Sequence, residues 1–156
     1  MAALTTGRIT PQKMGTPFPR RVVAGVKAST TIQLGSIVCV DASNRAVPAS
    51  ATTGLKAIGV LCEQPGGFPG QPVVGNSVDQ GVQIQVTPGV FAFDQDGTVL
   101  ATTPFGTALY AVDDHTVTIT ATGASQIGTL EQVTTSTDPQ IGAQVWVNIG
   151  AAASVD

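Results

Sequence analysis

Gly81-Val82-Gln83-Ile84-Gln85-Val86-Thr87-Pro88-Gly89 aligns without a gap on Gly142-Ala143-Gln144-Val145-Trp146-Val147-Asn148-Ile149-Gly150. In Val82 to Val86 apolar and amide side chains alternate strictly, which places one face of a strand in a core and the other against water. Thr116-Val117-Thr118-Ile119-Thr120 alternates in the same way. Two further echoes precede the first pair in the same chain order. Ala57-Ile58-Gly59-Val60-Leu61-Cys62-Glu63-Gln64 resembles Gln126-Ile127-Gly128-Thr129-Leu130-Glu131-Gln132, and Gly35-Ser36-Ile37-Val38-Cys39-Val40-Asp41 resembles Gly106-Thr107-Ala108-Leu109-Tyr110-Ala111-Val112-Asp113. Three echoes in one order predict two related β units, about 30–91 and 101–150, sharing a core.

Working outward, the rest of 29–156 reads as short strands rich in Val, Ile and Thr between turn residues, the pattern of an all-β sandwich or barrel-like body. Strands are expected at 30–34, 36–40, 57–61, 71–74, 82–86, 90–93, 108–112, 116–120, 126–132 and 144–149. A short helix is expected at most around Thr52 to Lys56. Pro65-Gly66-Gly67-Phe68-Pro69-Gly70-Gln71-Pro72 is too rich in Gly and Pro for regular structure and reads as a projecting loop. Trp146 and Tyr110, large rings within strands, are expected in the core.

Residues 1–28 have a different character. Pro11, Pro17 and Pro19 interrupt any helix, and Thr16-Pro17-Phe18-Pro19-Arg20-Arg21 reads as a stiff extended segment. The charges divide along the same line. All seven basic residues (Arg8, Lys13, Arg20, Arg21, Lys27, Arg45, Lys56) precede residue 57, and all ten acids follow residue 40. Such asymmetry marks an interaction surface. The basic Pro/Gly-containing arm is therefore expected to lie across a neighbouring protein surface, contacting it through Arg8, Lys13, Phe18, Arg20, Arg21 and Lys27. A net charge of −3 argues against nucleic-acid binding by the whole body, because phosphate neutralisation needs clustered Lys and Arg.

Charged residues make up 11% of the chain, well below the usual fraction of about a quarter, as in a protein whose surface faces other protein. No window approaches the roughly 18 apolar residues of a membrane span, and the start has no apolar signal core, so a soluble chain made in the cytoplasm is expected, with no membrane partner. Cys39 and Cys62 sit in apolar runs without a Cys-x-x-Cys pattern and read as buried free thiols.

Candidate chemistry is sparse. Asp113-Asp114-His115 sets the single histidine beside two acids, but no second His or Cys lies at ligand spacing, and the triplet reads as a polar turn between strands. Asp94-Gln95-Asp96-Gly97 begins like a calcium loop. Its twelfth position is Phe105 rather than an acid, so an Asp-Gly hairpin turn between 90–93 and 98–100 is expected instead. No catalytic residue, metal ligand or cofactor site is assigned, and the protein is not expected to be an enzyme.

The succession Lys27-Ala28-Ser29-Thr30-Thr31-Ile32-Gln33-Leu34-Gly35-Ser36-Ile37-Val38, Ile58-Gly59-Val60, Val82-Gln83-Ile84 with Gly89-Val90-Phe91, Gly106 to Val112, Ile127-Gly128-Thr129-Leu130 and Val145-Trp146-Val147 resembles the capsid cement, or head-decoration, proteins of tailed bacteriophages. The resemblance covers most of the chain after the arm. It implies a structural virion protein on the outer surface of an expanded icosahedral head, bound to the major capsid protein and to neighbouring cement subunits as a homo-oligomer, a trimer being favoured. The long basic arm is an addition to that pattern and is expected to act as a tether. Two other classes stay open: a head-fibre or adhesin base with the Pro65 to Pro72 loop as its tip, and a nucleic-acid-associated structural protein using the arm on phosphate.

Overall fold

The computed structural model describes residues 3–7, 21–62, 71–134 and 144–149. Among them there is no helix, and hence none long and apolar enough to cross a membrane. Twelve strands form the body: β1 (Val22–Val26), β2 (Thr31–Ile32), β3 (Ile37–Val40), β4 (Arg45–Pro48), β5 (Lys56–Val60), β6 (Val73–Val74), β7 (Gln83–Val86), β8 (Gly89–Gln95), β9 (Ala108–Ala111), β10 (Thr116–Thr118), β11 (Gln126–Thr134) and β12 (Gln144–Ile149). The fold is all-β and is built from two related units, as the echoes predict.

The first unit is a five-stranded sheet of order β5-β3-β4-β1-β7, and the second is a closed five-stranded barrel. Opened between β11 and β12, the barrel reads β11-β9-β10-β8-β12, the same order strand for strand. Pairing senses also match. β1 runs parallel to β4, as β8 does to β10, and every other neighbouring pair in the series is antiparallel. The correspondence extends to single hydrogen bonds: Gly35 N–H to Leu61 O and Gly106 N–H to Leu130 O, each 2.8 Å, and Asp41 N–H to Arg45 O and Val112 N–H to Thr116 O, at 3.0 and 2.9 Å.

Both units carry the same irregularity. The β3/β5 register jumps so that Val38 faces Gly59 and Cys39 faces Ala57, leaving Ile58 as the extra residue; Ile127 is the extra residue of β11 against β9. A β-bulge of this kind kinks the strand and turns side chains to new faces. Glycine follows the bulge in each case because another backbone lies against it. A Cβ on Gly59 would stand 2.8 Å from the Thr87 carbonyl group, and one on Gly128 would collide with the Asn148 carbonyl oxygen.

Interior positions correspond as well. Val22, Ala24, Val38, Ile84 and Val86 pack inside the first unit where Phe91, Phe93, Leu109, Val145 and Val147 fill the barrel. The smaller residues of the first unit leave space that the two-stranded ribbon β2–β6 fills with Ile32 and Val73, assisted by Leu34. The opposite face of the β3–β5 edge, with Ile37, Cys39, Ala57 and Val60, is buried against the barrel and joins its core.

Several expectations are corrected. Val22–Val26, assigned to the arm, is an inner strand between β4 and β7, so each unit begins one strand earlier than read, at Val22 and at Gly89. Five apolar or small residues after Arg21 are enough for a strand. β4 is an additional strand; Arg45-Ala46-Val47-Pro48 ends in a proline, which argues against a central strand, yet β4 lies between β3 and β1 and carries Pro48 only as its last residue. Thr52 to Lys56 holds a turn and the start of β5, not a helix. Asp96-Gly97 does not close a hairpin: Asp96 Oδ1 accepts from Thr98 N–H at 3.1 Å, and 98–100 is not a strand. Alternation in 116–120 stops early, with Thr116 and Thr118 buried and Ile119 exposed. Trp146 and Tyr110 lie half-buried on the outer side of the barrel, because Val145, Val147 and Leu109 already occupy the inward positions of their strands. The Trp146 indole donates to Thr134 Oγ1 at 2.6 Å.

Candidate interaction surfaces

The strand assignments turn the linear charge partition into a spatial one. Arg21, Lys27, Arg45 and Lys56 all belong to the first unit, whereas residues 89–149 contain no Lys or Arg. Asp94, Asp96, Asp113, Asp114 and Glu131 belong to the second. Among the described residues the first unit therefore sets its four cations beside Asp41 and Asp79 and is the more basic of the two, and it is the unit that follows the arm in sequence.

Arg45, the first residue of β4, organises the basic side. Its Nε and Nη2 meet Asp41 Oδ2 at 2.9 and 2.8 Å, and its Nη1 meets Asp79 Oδ2 at 2.9 Å. The hydrogen-bonded guanidinium holds the Asp41 carboxyl below its ordinary pKa. Asp79 is lowered first by the Ala28 amide, 2.8 Å from its Oδ1, and then by Arg45. Lys27, Asp41, Ser43, Arg45, Ser50 and Thr52 line an open groove of about 490 Å³.

Of the six arm residues singled out, Arg8, Lys13, Phe18 and Arg20 lie outside the described residues. The structure places the other two on the body: Arg21 Nη1 donates to Gln85 Oε1 on β7 at 3.2 Å, and Lys27 follows β1, its amide donating to Ala46 O at 3.1 Å. Most of the Pro65 to Pro72 loop also lies outside the described residues, which resume at Gln71.

Sequence reasoning placed residues 3–7 in the tethering arm of 1–28 and singled out none of them. The Leu4 amide donates to Asp114 Oδ1 at 2.9 Å, so the chain before β1 is held on the second unit at Leu4 and on the first at Val22. No local signal announces this contact, since a leucine amide looks like any other.

Asp113, Asp114 and His115 form the turn between β9 and β10, and that turn is the joint between the units. Asp114 Oδ2 accepts from Ser36 Oγ at 2.9 Å, and the Asp114 carbonyl accepts from the Ile37 amide at 2.7 Å. His115 Nδ1 lies 3.1 Å from Oδ1 of both aspartates. Carboxylates only accept, so Nδ1 carries the proton. One ligand atom from each of the three residues lies within 4.8 Å of the others, close enough to hold a metal ion. Asp114 is already committed at both oxygens, which makes the turn a mechanical joint. Asp113 Oδ2 and Thr116 Oγ1 are buried without a hydrogen-bond partner. A second pair of bonds supports the joint, Leu55 N–H to Ser125 Oγ at 2.9 Å and Ser125 Oγ–H to Thr52 O at 2.6 Å.

Cys39 and Cys62 are not joined by a disulfide. Burial pushes the Cys39 thiol up to about 12 and raises that of Cys62, so neither is a ready nucleophile.

The chain matches no protein-family model, no curated protein and no solved structure in the comparisons made with each.

Proposed function

We propose that this protein is a structural virion component, a capsid cement protein that binds the outer surface of a phage head and bridges neighbouring capsomers. The observation that carries the reading is the segregation of charge: a proline-stiffened basic segment joined to the basic side of a weakly charged β body whose other unit holds no cation. Cement function needs a rigid body and several weak contacts that reinforce one another by effective concentration, and two closely joined β units with a long tethered segment meet that need. The resemblance of the strand motifs to head-decoration proteins supports the same reading. The partner surface would be acidic major capsid protein, with Arg8, Lys13 and Arg20 as the contacting charges and Phe18 as an apolar anchor.

Deleting residues 1–28 is the wrong test, because it removes β1. Replacing Arg8, Lys13 and Arg20 by serine leaves every strand intact. Retention on undecorated expanded heads, measured by co-sedimentation, should fall at least tenfold while the circular dichroism spectrum is unchanged. Failure of the unaltered protein to sediment with heads would overturn the cement reading. Salt-sensitive retention of duplex DNA in its place would favour a nucleic-acid role.

A further inference from the structure

The joint between the two units is not symmetric. The first unit offers the outer face of its β3–β5 edge, with Ser36, Ile37 and the 52–55 loop; the second offers one end of its barrel, with the Asp113–His115 turn and Ser125. Because the units share strand order and register, each half of this joint has an unused counterpart. Matched backbone bonds pair Gly35 with Gly106 and Asp41 with Val112, so Ser36 and Ile37 correspond to Thr107 and Ala108, and Asp114 corresponds to Ser43.

These counterparts are less buried, with Thr107 Oγ1–H donating to Pro104 O at 2.6 Å and Ser43 O accepting from Gln80 Nε2 at 3.3 Å. Ser36, Ile37 and Asp114 are buried, whereas Thr107 and Ala108 are half-buried and Ser43 is exposed. The Asp41–Arg45 turn, which Asp79 and Gln80 touch from one side, borders the groove of Lys27 and Arg45, while the β9–β11 face belongs to the unit without Lys or Arg, which carries Glu131 on β11.

We propose that copies of this chain associate head to tail, the β9–β11 face of one copy docking on the Asp41–Arg45 turn of the next in the arrangement that joins the two units within each chain. The inference deepens the cement reading and rests on it for the reason to assemble. Geometry and charge both select a second copy as the occupant: the shape wanted by the turn is the shape of this fold's own edge, and Lys27 in the groove, beside the Arg45 ion pairs, meets a unit that carries acids and no Lys or Arg. A contact between different surfaces is heterologous, so it closes into a ring when the rotation permits and otherwise extends. Thr107 meeting Ser43 replaces the charged Ser36–Asp114 bond by a neutral one, which makes the contact between chains weaker than the joint within them.

Carrying both Ser43→Cys and Thr107→Cys on one full-length chain tests this under mild oxidation. Disulfide-linked oligomers should exceed those of either single substitution by at least tenfold, the single variants also controlling for Cys39 and Cys62. A control chain with Ser43→Cys and Ala101→Cys should give no such excess. Should Thr107→Cys fail to fold, Lys27→Glu provides a second route, since it leaves the Arg45 ion pairs in place: sedimentation should show its oligomers dissociating at least tenfold more readily than those of the unaltered chain. Cross-linking no faster than in the control pair, or self-association unchanged by Lys27→Glu, overturns the inference. Head binding by the unaltered protein, scored in parallel, separates this failure from failure of the cement reading.

Discussion

The two units solve one folding problem with different fillings. In the barrel, Phe91 and Phe93 on β8 reach the axis and β11 pairs with β12 along its length, so five strands close on themselves. In the first unit the same two positions are Val22 and Ala24, and the strands that would close it, β5 and β7, meet only at the Val60–Thr87 bridge, 3.0 Å in each direction. The missing volume comes from the β2–β6 ribbon. Shared topology thus does not require a shared core composition; it requires that the volume inside the strands be filled from somewhere.

Changing the filling at equivalent positions gives the largest expected effect. Phe93→Ala, at a fully buried site, should cost about 3–5 kcal/mol in urea unfolding, whereas Ala24→Gly at the matching position should cost about 1 kcal/mol or less. Equal losses would mean that both interiors depend alike on the strand between β4 and β7 in one unit and between β10 and β12 in the other. Closure supplies a second, intermediate test. In native-state hydrogen exchange the amides of Val60 and Thr87 should exchange at least tenfold faster than those pairing β11 with β12, because a lone bridge opens without disturbing a ladder. Similar protection would show that the first unit behaves as a closed barrel too.

The smallest effect is electrostatic and confined to the first unit. Asp41 and Asp79 have folded pKa values below their ordinary ones, so their contribution to stability is present above the unfolded value of about 4 and is lost as pH falls through the folded values. Arg45→Gln removes the shared guanidinium. Its stability should decline less steeply below about pH 4 than that of the unaltered chain, with the curves parallel from pH 5 to 8. An unchanged acid limb would show that the Arg45 ion pairs do not carry the acid sensitivity of the fold.

The duplication was legible in the sequence because it rests on short apolar patterns next to glycines that a neighbouring backbone requires. Gly59 and Gly128 are the clearest examples, each repeating one bulge and one close approach. β1 was not legible, because Val22-Val23-Ala24-Gly25-Val26 follows a proline-rich stretch and gains its strand character from partners sixty residues away. Nor did the outward placement of Trp146 show, since a ring in an alternating strand gives no sign of which face is the interior until its neighbours are counted. The two aspartates before His115 were readable as a turn. Their work as a joint was not, because it depends on Ser36, Ile37 and Leu4, and no local pattern connects residues so far apart.

The Leu4–Asp114 bond has a consequence for how the chain is made. One hundred and ten residues separate the two partners, and at cellular elongation rates that is roughly 5–20 s of translation. Leu4 must wait, undocked, until the β9–β10 turn has emerged and the second unit has closed. Seating of Leu4 then marks the moment at which both halves and the turn that joins them have been made.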